Sequence, residues 1–302
     1  MSTKKMHFSR AARLIASKVG AKAILSCSIV LMSINAFAVD THKIVSADGS
    51  LTEIVYALGQ QHLLVGVDTT SGYPAVAKSL AQIGYKRNIS AEGVLSLAPT
   101  VLIATEDSGP DKIISQIEQA GIVVKRYSAK PGLNAVKEKI LGVANLLGVA
   151  DKGRQLWADV DRQVQQAQTQ LKSIETPIKV MFVLSNGQGS PLVSGSDTMA
   201  DAIIKLAGAN NAVQGFSGYK PMPVESIISA APEVILMMDR GGDHGADSAI
   251  LSSPGFELTP AAINQRLVKM DGMLMLGFGP RIGIAIGQLS QAFYPEFEGE
   301  NP

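Results

Sequence analysis

Cysteine is almost absent from this chain of 302 residues: there is one, Cys27, and histidine is held to four. A lone thiol forms no intramolecular disulfide, and Cys27 lies in a segment expected to be removed. Thiolate chemistry and cysteine-rich zinc sites are therefore excluded for the remainder. His42, His62 and His244 fall outside that segment but are too widely spaced for a compact metal cluster, which disfavours a zinc or manganese receptor. There is no G-x-S-x-G elbow and no H-E-x-x-H helix, and the glycines of SNGQGS (residues 185–190) lack the spacing of a phosphate loop. No enzymatic chemistry is indicated, and a secreted α/β enzyme stands only as a rival reading.

Acidic residues are missing from the first 38 positions, where Lys4, Lys5, Arg10, Arg13, Lys18 and Lys22 cluster. Residues 23–39 are uncharged, and Ala36-Phe37-Ala38 supplies a small-x-small site. That order predicts a secretory signal cleaved after Ala38 and export to the periplasm. A membrane anchor needs about 20 apolar residues, whereas this shorter run is interrupted by Ser26, Ser28, Ser33 and Asn35. The triplet Leu25-Ser26-Cys27 has a lipoprotein flavour, but the apolar run continues past it. Without residues 1–38 the formal charge falls from +1 to −5, which leaves no basic tract for nucleic acid or membrane.

The whole chain is 46% hydrophobic, and the part after residue 38 alternates between short apolar runs and helical periodicity. Strands are expected at residues 43–47, 63–67, 101–105 and 122–127, with helices at 50–58, 91–97, 111–120 and 133–147 between them. Ser90 is a plausible N-cap for the second helix, and Pro99 breaks it. Residues 151–174 then carry Leu156, Val160, Val164, Ala167 and Leu171 in steps of four and three, the mark of one long amphipathic helix. After it the alternation restarts, with strands at 179–184 and 267–270 and helices at 198–206 and 282–293. The expected fold is α/β. Two pseudo-symmetric parallel-sheet lobes (39–150 and 176–302) are joined by one bridging helix (151–175) and preceded by the signal at 1–38.

Pseudo-symmetry is suggested by a repeat. AEGVLSLAPTVLIA at 91–104 and VESIISAAPEVILM at 224–237 share five of fourteen positions, 133 residues apart. Ligands of open parallel sheets gather beyond the carboxyl ends of the strands. The loops expected there are small and polar. They hold Ser71-Gly72-Tyr73-Pro74, Glu106 to Gly109, the SNGQGS segment, and Asp239-Arg240-Gly241-Gly242-Asp243-His244. Tyr73, held between Gly72 and Pro74, is the most notable side chain. A loop tyrosine often stacks or packs, but deprotonated it is a hard donor for ferric iron. His244 faces the expected cleft, whereas His42 and His62 are expected to be solvated.

The stretches DTTSGYPAVA (68–77), GYKRNISAEGVLSLAP (84–99) and LGFGPR (276–281) resemble the periplasmic haem-binding proteins of bacterial haem ABC importers. These belong to the helical-backbone class that also holds vitamin B12 and ferric-siderophore carriers, and the similarity runs from about Lys43 to Phe293. The resemblance implies haem as transported ligand, with Tyr73 as axial ligand to its iron. Some relatives carry an arginine two positions after the tyrosine, where this chain has Ala75. Others supply a second-lobe histidine, where it has Asn186 and Gln188, so a five-coordinate site is expected. Lys86, Arg87, Arg240 and Arg281 are the candidates for the haem propionates. Met199 and Met237 are expected in the core or against the porphyrin.

The resemblance further implies a soluble, monomeric receptor that delivers haem to an ABC permease dimer and its ATPase, downstream of an outer-membrane haem receptor system. Glu92 and Glu225, second in each copy of the repeat, would dock on the two permease subunits, with Glu53 as a third candidate. The alternative within the class is a cobalamin or ferric-siderophore receptor.

Overall fold

The structure, a computed structural model, describes residues 42–185, 190–239 and 249–297. The predicted signal, Asn186 and Gln188, and Arg240 and His244 lie outside the described residues. Among those described, no helix is long and apolar enough to cross a membrane.

The first half runs β1 (Ile44–Ser46), α1 (Gly49–Ala57), β2 (Leu64–Val67), β3 (Ala81–Gln82), β4 (Gly84–Tyr85), β5 (Asn88–Ile89) and α2 (Ala91–Ser96). It continues with β6 (Val101–Thr105), α3 (Asp111–Gln119), β7 (Val123–Tyr127) and α4 (Leu133–Leu146). Five of these strands form a sheet in the order β3-β2-β1-β6-β7, with every pairing parallel, while β4 and β5 make a separate hairpin. Local chemistry sets the helix starts: the carboxylate of Asp48 accepts from the Ser50 N–H to cap α1, and the Ser90 hydroxyl accepts from the Gly93 N–H to cap α2.

The long helix α5 (Ala150–Thr169) follows, ending in a 3-10 turn at Gln170–Ser173. Val160 and Val164 on its apolar stripe are buried.

The second half contains β8 (Lys179–Ser185), β9 (Leu192–Ser194), α6 (Met199–Leu206), β10 (Asn210–Asn211), β11 (Tyr219–Pro221) and α7 (Val224–Ala230). After these come β12 (Val234–Asp239), α8 (Pro260–Ile263), β13 (Leu267–Asp271), α9 (Gly272–Leu276) and α10 (Ile282–Phe293). Strands β8, β12 and β13 are parallel, and β10 joins β8 in the same sense. The edge departs from the expected parallel sheet, because β9 runs antiparallel to β8 and β11 antiparallel to β9. Residues 186–191 explain why: a parallel return needs a crossover of about a dozen residues or more, and this connection is too short.

The repeat seen in the sequence is a repeat of structure. Both copies form a short helix leading into a central strand, α2 to β6 and α7 to β12. Ala98 and Ala231, at the same position of each copy, both adopt φ +45°, a left-handed conformation uncommon for a residue with a Cβ. One hydrophobic core unites the halves, taking Ile54 and Val136 from the first, Val160 and Val164 from α5, and Phe182, Ile282 and Ile286 from the second.

Helices α5 and α10 approach closely enough that Gly283 has no room for a side chain. A Cβ there would lie 2.6 Å from Gln163 Cβ and 3.1 Å from the backbone of Gln163 and Val164. Gly283→Val is predicted to lower the unfolding free energy in urea by about 1–3 kcal/mol, the usual cost of overpacking. An unchanged midpoint would show that α10 is not seated on the bridging helix in this way.

Candidate functional site

The polar groups of the first half gather where β1, β2 and β6 end. Asp48, buried after β1, takes a hydrogen bond from Ser50 Oγ (2.5 Å) and an ion pair from Lys86 Nζ (2.7 Å). Lys86 also reaches Asp107 at 3.1 Å, and Arg87 Nη2 donates to Asp107 Oδ2 at 2.7 Å. Burial tends to raise the Asp48 carboxyl, but Lys86 and then Lys139 outweigh it and hold its pKa below the usual value. Desolvation acts against the charge on Lys86, and Asp48 reverses it, so Lys86 ends raised. Burial drives Lys139 the other way and lowers it.

Under the Tyr73 loop, Ser71 Oγ donates to Asp68 Oδ1 (2.9 Å) and shares a 2.7 Å hydrogen bond with Thr52 Oγ1. Thr70 closes the same turn by donating its N–H and hydroxyl to Asp68. This anchored turn presents Tyr73 with its side chain half exposed. Its ring is covered on one face by Arg281 from the second half, with the guanidinium carbon 3.7 Å from the ring centroid. Arg281 is held in turn by a two-pronged bond to Glu53 of α1: Nε donates to Oε2 (2.9 Å) and Nη2 to Oε1 (2.6 Å). The bond to Glu53 raises Arg281, whereas burial pushes Glu53 up despite its partner. A second cross-link lies nearby, where Lys139 Nζ of α4 donates to Ser50 Oγ (2.9 Å) and to the Gly277 carbonyl (3.3 Å).

The structure therefore brings Tyr73, Lys86, Arg87 and Arg281 to one end of the molecule's contact between halves, but in different states. Arg281 is engaged by Glu53, and Lys86 by two carboxylates, its side chain 16% exposed. Arg87 is paired with Asp107 and Tyr85 but is the most exposed of the three cations, with a side chain 59% exposed. Glu92 and Glu225 are exposed in the first turns of α2 and α7. The expectation of Glu53 as a third docking residue is corrected: its side chain is 5% exposed and spent on Arg281. Met199 and Met237 pack in the hydrophobic cores.

A groove of about 1030 Å³ opens elsewhere on the second half, lined among others by Glu175, Gln214, Phe216, Lys220 and Glu225. It includes neither Tyr73 nor Arg281. Among the described residues no group of three or more histidine, cysteine or carboxylate side chains could hold a bare metal ion.

The sequence pattern of the periplasmic binding protein family matches residues 44–274. The chain belongs to that family. Members are substrate-binding components of transport systems. Its solved relatives include the periplasmic heme-binding protein BhuT in complex with two hemes, which is 39% identical with a TM-score of 0.79 and covers 83% of this chain and 97% of its own. RhuT from Roseiflexus sp. RS-1, a periplasmic heme-binding protein in apo form, is 38% identical (TM-score 0.80) over 84% of this chain and 98% of its own. Among curated sequences, an uncharacterized ABC transporter substrate-binding lipoprotein, YvrC of Bacillus subtilis, is 28% identical over 84% of this chain and 80% of its own length. The vitamin B12-binding protein of Vibrio vulnificus (strain CMCP6) is 23% identical over 89% and 96%. This periplasmic binding protein thus has an ABC permease and ATPase as the partner its family implies.

The Glu53–Arg281 pair generates a stability prediction. Arg281→Met leaves a buried carboxylate without its partner, a loss of about 3–5 kcal/mol for a fully buried pair and less where one side is partly solvated. Glu53→Gln/Arg281→Met removes both charges and is predicted to recover much of that loss in chemical denaturation. Equal destabilisation by the single and double variants would contradict the pairing.

Proposed function

We propose that this periplasmic binding protein captures haem between its two lobes and delivers it to the permease without catalysing a reaction. The observation that carries the reading is the half-exposed Tyr73 phenol, stacked on a cation from the opposite lobe. It occurs in a chain 37–39% identical to three solved proteins described as heme-binding.

Tyr73 would bind the ferric iron of haem through its phenolate oxygen, since a hard trivalent centre favours an anionic oxygen donor. The Asp68 turn, with Thr70 and Ser71, anchors the loop that carries the tyrosine. Arg281, steadied by Glu53, sets positive charge beside the electron-rich ring. Arg87 is the first choice for a haem propionate, because it is the most exposed of these cations even while paired with Asp107. Lys86 and Arg281, whose carboxylate partners hold them in less exposed positions, rank after it, and Arg240, Asn186, Gln188 and His244 remain candidates from the second lobe's loops. The family's export to the periplasm agrees with a signal at residues 1–38. Monomeric action and an outer-membrane receptor upstream belong to the same reading, as do lobes at 39–150 and 176–302 about the bridging helix.

The alternative is cobalamin, favoured by the vitamin B12-binding relatives at 22–23% identity. Titration with hemin separates the two. The protein is expected to give a Soret band and a high-spin ferric–phenolate absorption, with no competition by cyanocobalamin. Tyr73→Phe should abolish the phenolate absorption and weaken binding by at least about tenfold. No spectral change with hemin, or competition by cyanocobalamin, would overturn haem as the ligand.

A further inference from the structure

The repeated helices α2 and α7 share more than a buried face and a glutamate. Each is seated on its core by the same position of the repeat, Val94 and Ile227, both 0% exposed. Each is followed by an alanine with φ +45° before a proline. Three residues after each glutamate, on the same helix face, stands an exposed aliphatic residue, Leu95 in one copy and Ile228 in the other. They are 39% and 37% exposed. Among the described residues the side chains of Glu92 and Glu225 make no hydrogen bond or ion pair.

A single exposed leucine on a surface needs no explanation. An aliphatic side chain exposed at the same place in both halves does, because the other aliphatic pairs of the repeat, such as Val94 with Ile227 and Leu102 with Ile235, are kept where they are buried. We propose that each lobe docks on its permease subunit through a two-residue epitope, Glu92 with Leu95 and Glu225 with Ile228. The partner surface is a basic side chain beside a small apolar recess, presented once by each subunit of a twofold-symmetric dimer. The carboxylates steer and orient the approach, while the aliphatic side chains lose water on contact and slow dissociation. A pseudo-symmetric ligand on a symmetric dimer meets the same chemistry twice, and divalent engagement multiplies the gain of each contact. This inference rests on the permease-docking reading of the two glutamates.

The test is binding of the hemin-loaded full chain to its permease–ATPase complex in nanodiscs. Leu95→Gln/Ile228→Gln is expected to weaken binding at least about tenfold, with faster dissociation and an unchanged hemin titration and melting curve. Leu95→Met/Ile228→Met, which keeps an apolar surface, should bind as the unaltered protein does. Glu92→Gln/Glu225→Gln should slow association and flatten its dependence on salt. Unaltered binding by the double glutamine variant at 95 and 228, with the glutamate variant impaired, would overturn the two-residue epitope alone. Unaltered binding by both variants would overturn the docking reading as well.

Discussion

Everything at the candidate site depends on one buried ion pair between the lobes. Glu53 belongs to α1, the first helix among the described residues, and Arg281 to the turn before α10. Their double bond at 2.6 and 2.9 Å joins residues 228 positions apart. Desolvating both charges is expensive, and such a pair stabilises only when its geometry is good and its remaining donors and acceptors are met. Arg281 meets both oxygens of Glu53 with Nε and Nη2, and its guanidinium lies over the Tyr73 ring, which adds a cation–π contact. The tyrosine is thus held from below by the Asp68 turn and from the side by the opposite lobe. A ligand arriving at the phenol meets a ring already constrained by its loop and by Arg281, which reduces the ordering cost of capture.

The lobes are not loosely tethered. They share a continuous core through the bridging helix, and Lys139 reaches from α4 to the Gly277 carbonyl as a second tie. Opening by bending α5 would break its backbone hydrogen bonds, so ligand entry and release call for small displacements rather than a wide hinge. That constraint suits docking of both lobes on one rigid partner, since the distance between the two exposed helices changes little.

Much of this was legible in the sequence, for identifiable reasons. Regular periodicity located the long helix, and β6 and α10 fall within the bounds read from the sequence. Proline and the N-cap serine bounded α2. The two-residue strands and the β9–β11 edge were not legible, since strands of two or three residues carry no period and their pairing depends on partners distant in the chain. Glu53 was misplaced because a glutamate early in a helix ordinarily faces water, whereas Gly49 to Val55 are all buried. Lys139 did leave a signal: it falls on the same stripe as Val136, Ile140 and Val143, where an aliphatic residue is expected. The stacking of Arg281 on Tyr73 had no local signature, because it joins two loops 208 positions apart.

The most direct measurement is a crystal structure of the hemin-loaded protein. The account predicts iron bonded to the Tyr73 Oη in the space between the lobes, with Arg281 still forked on Glu53 and resting on the tyrosine ring. Iron bound to another side chain, or a Tyr73 ring turned outward with the porphyrin seated elsewhere, would contradict it.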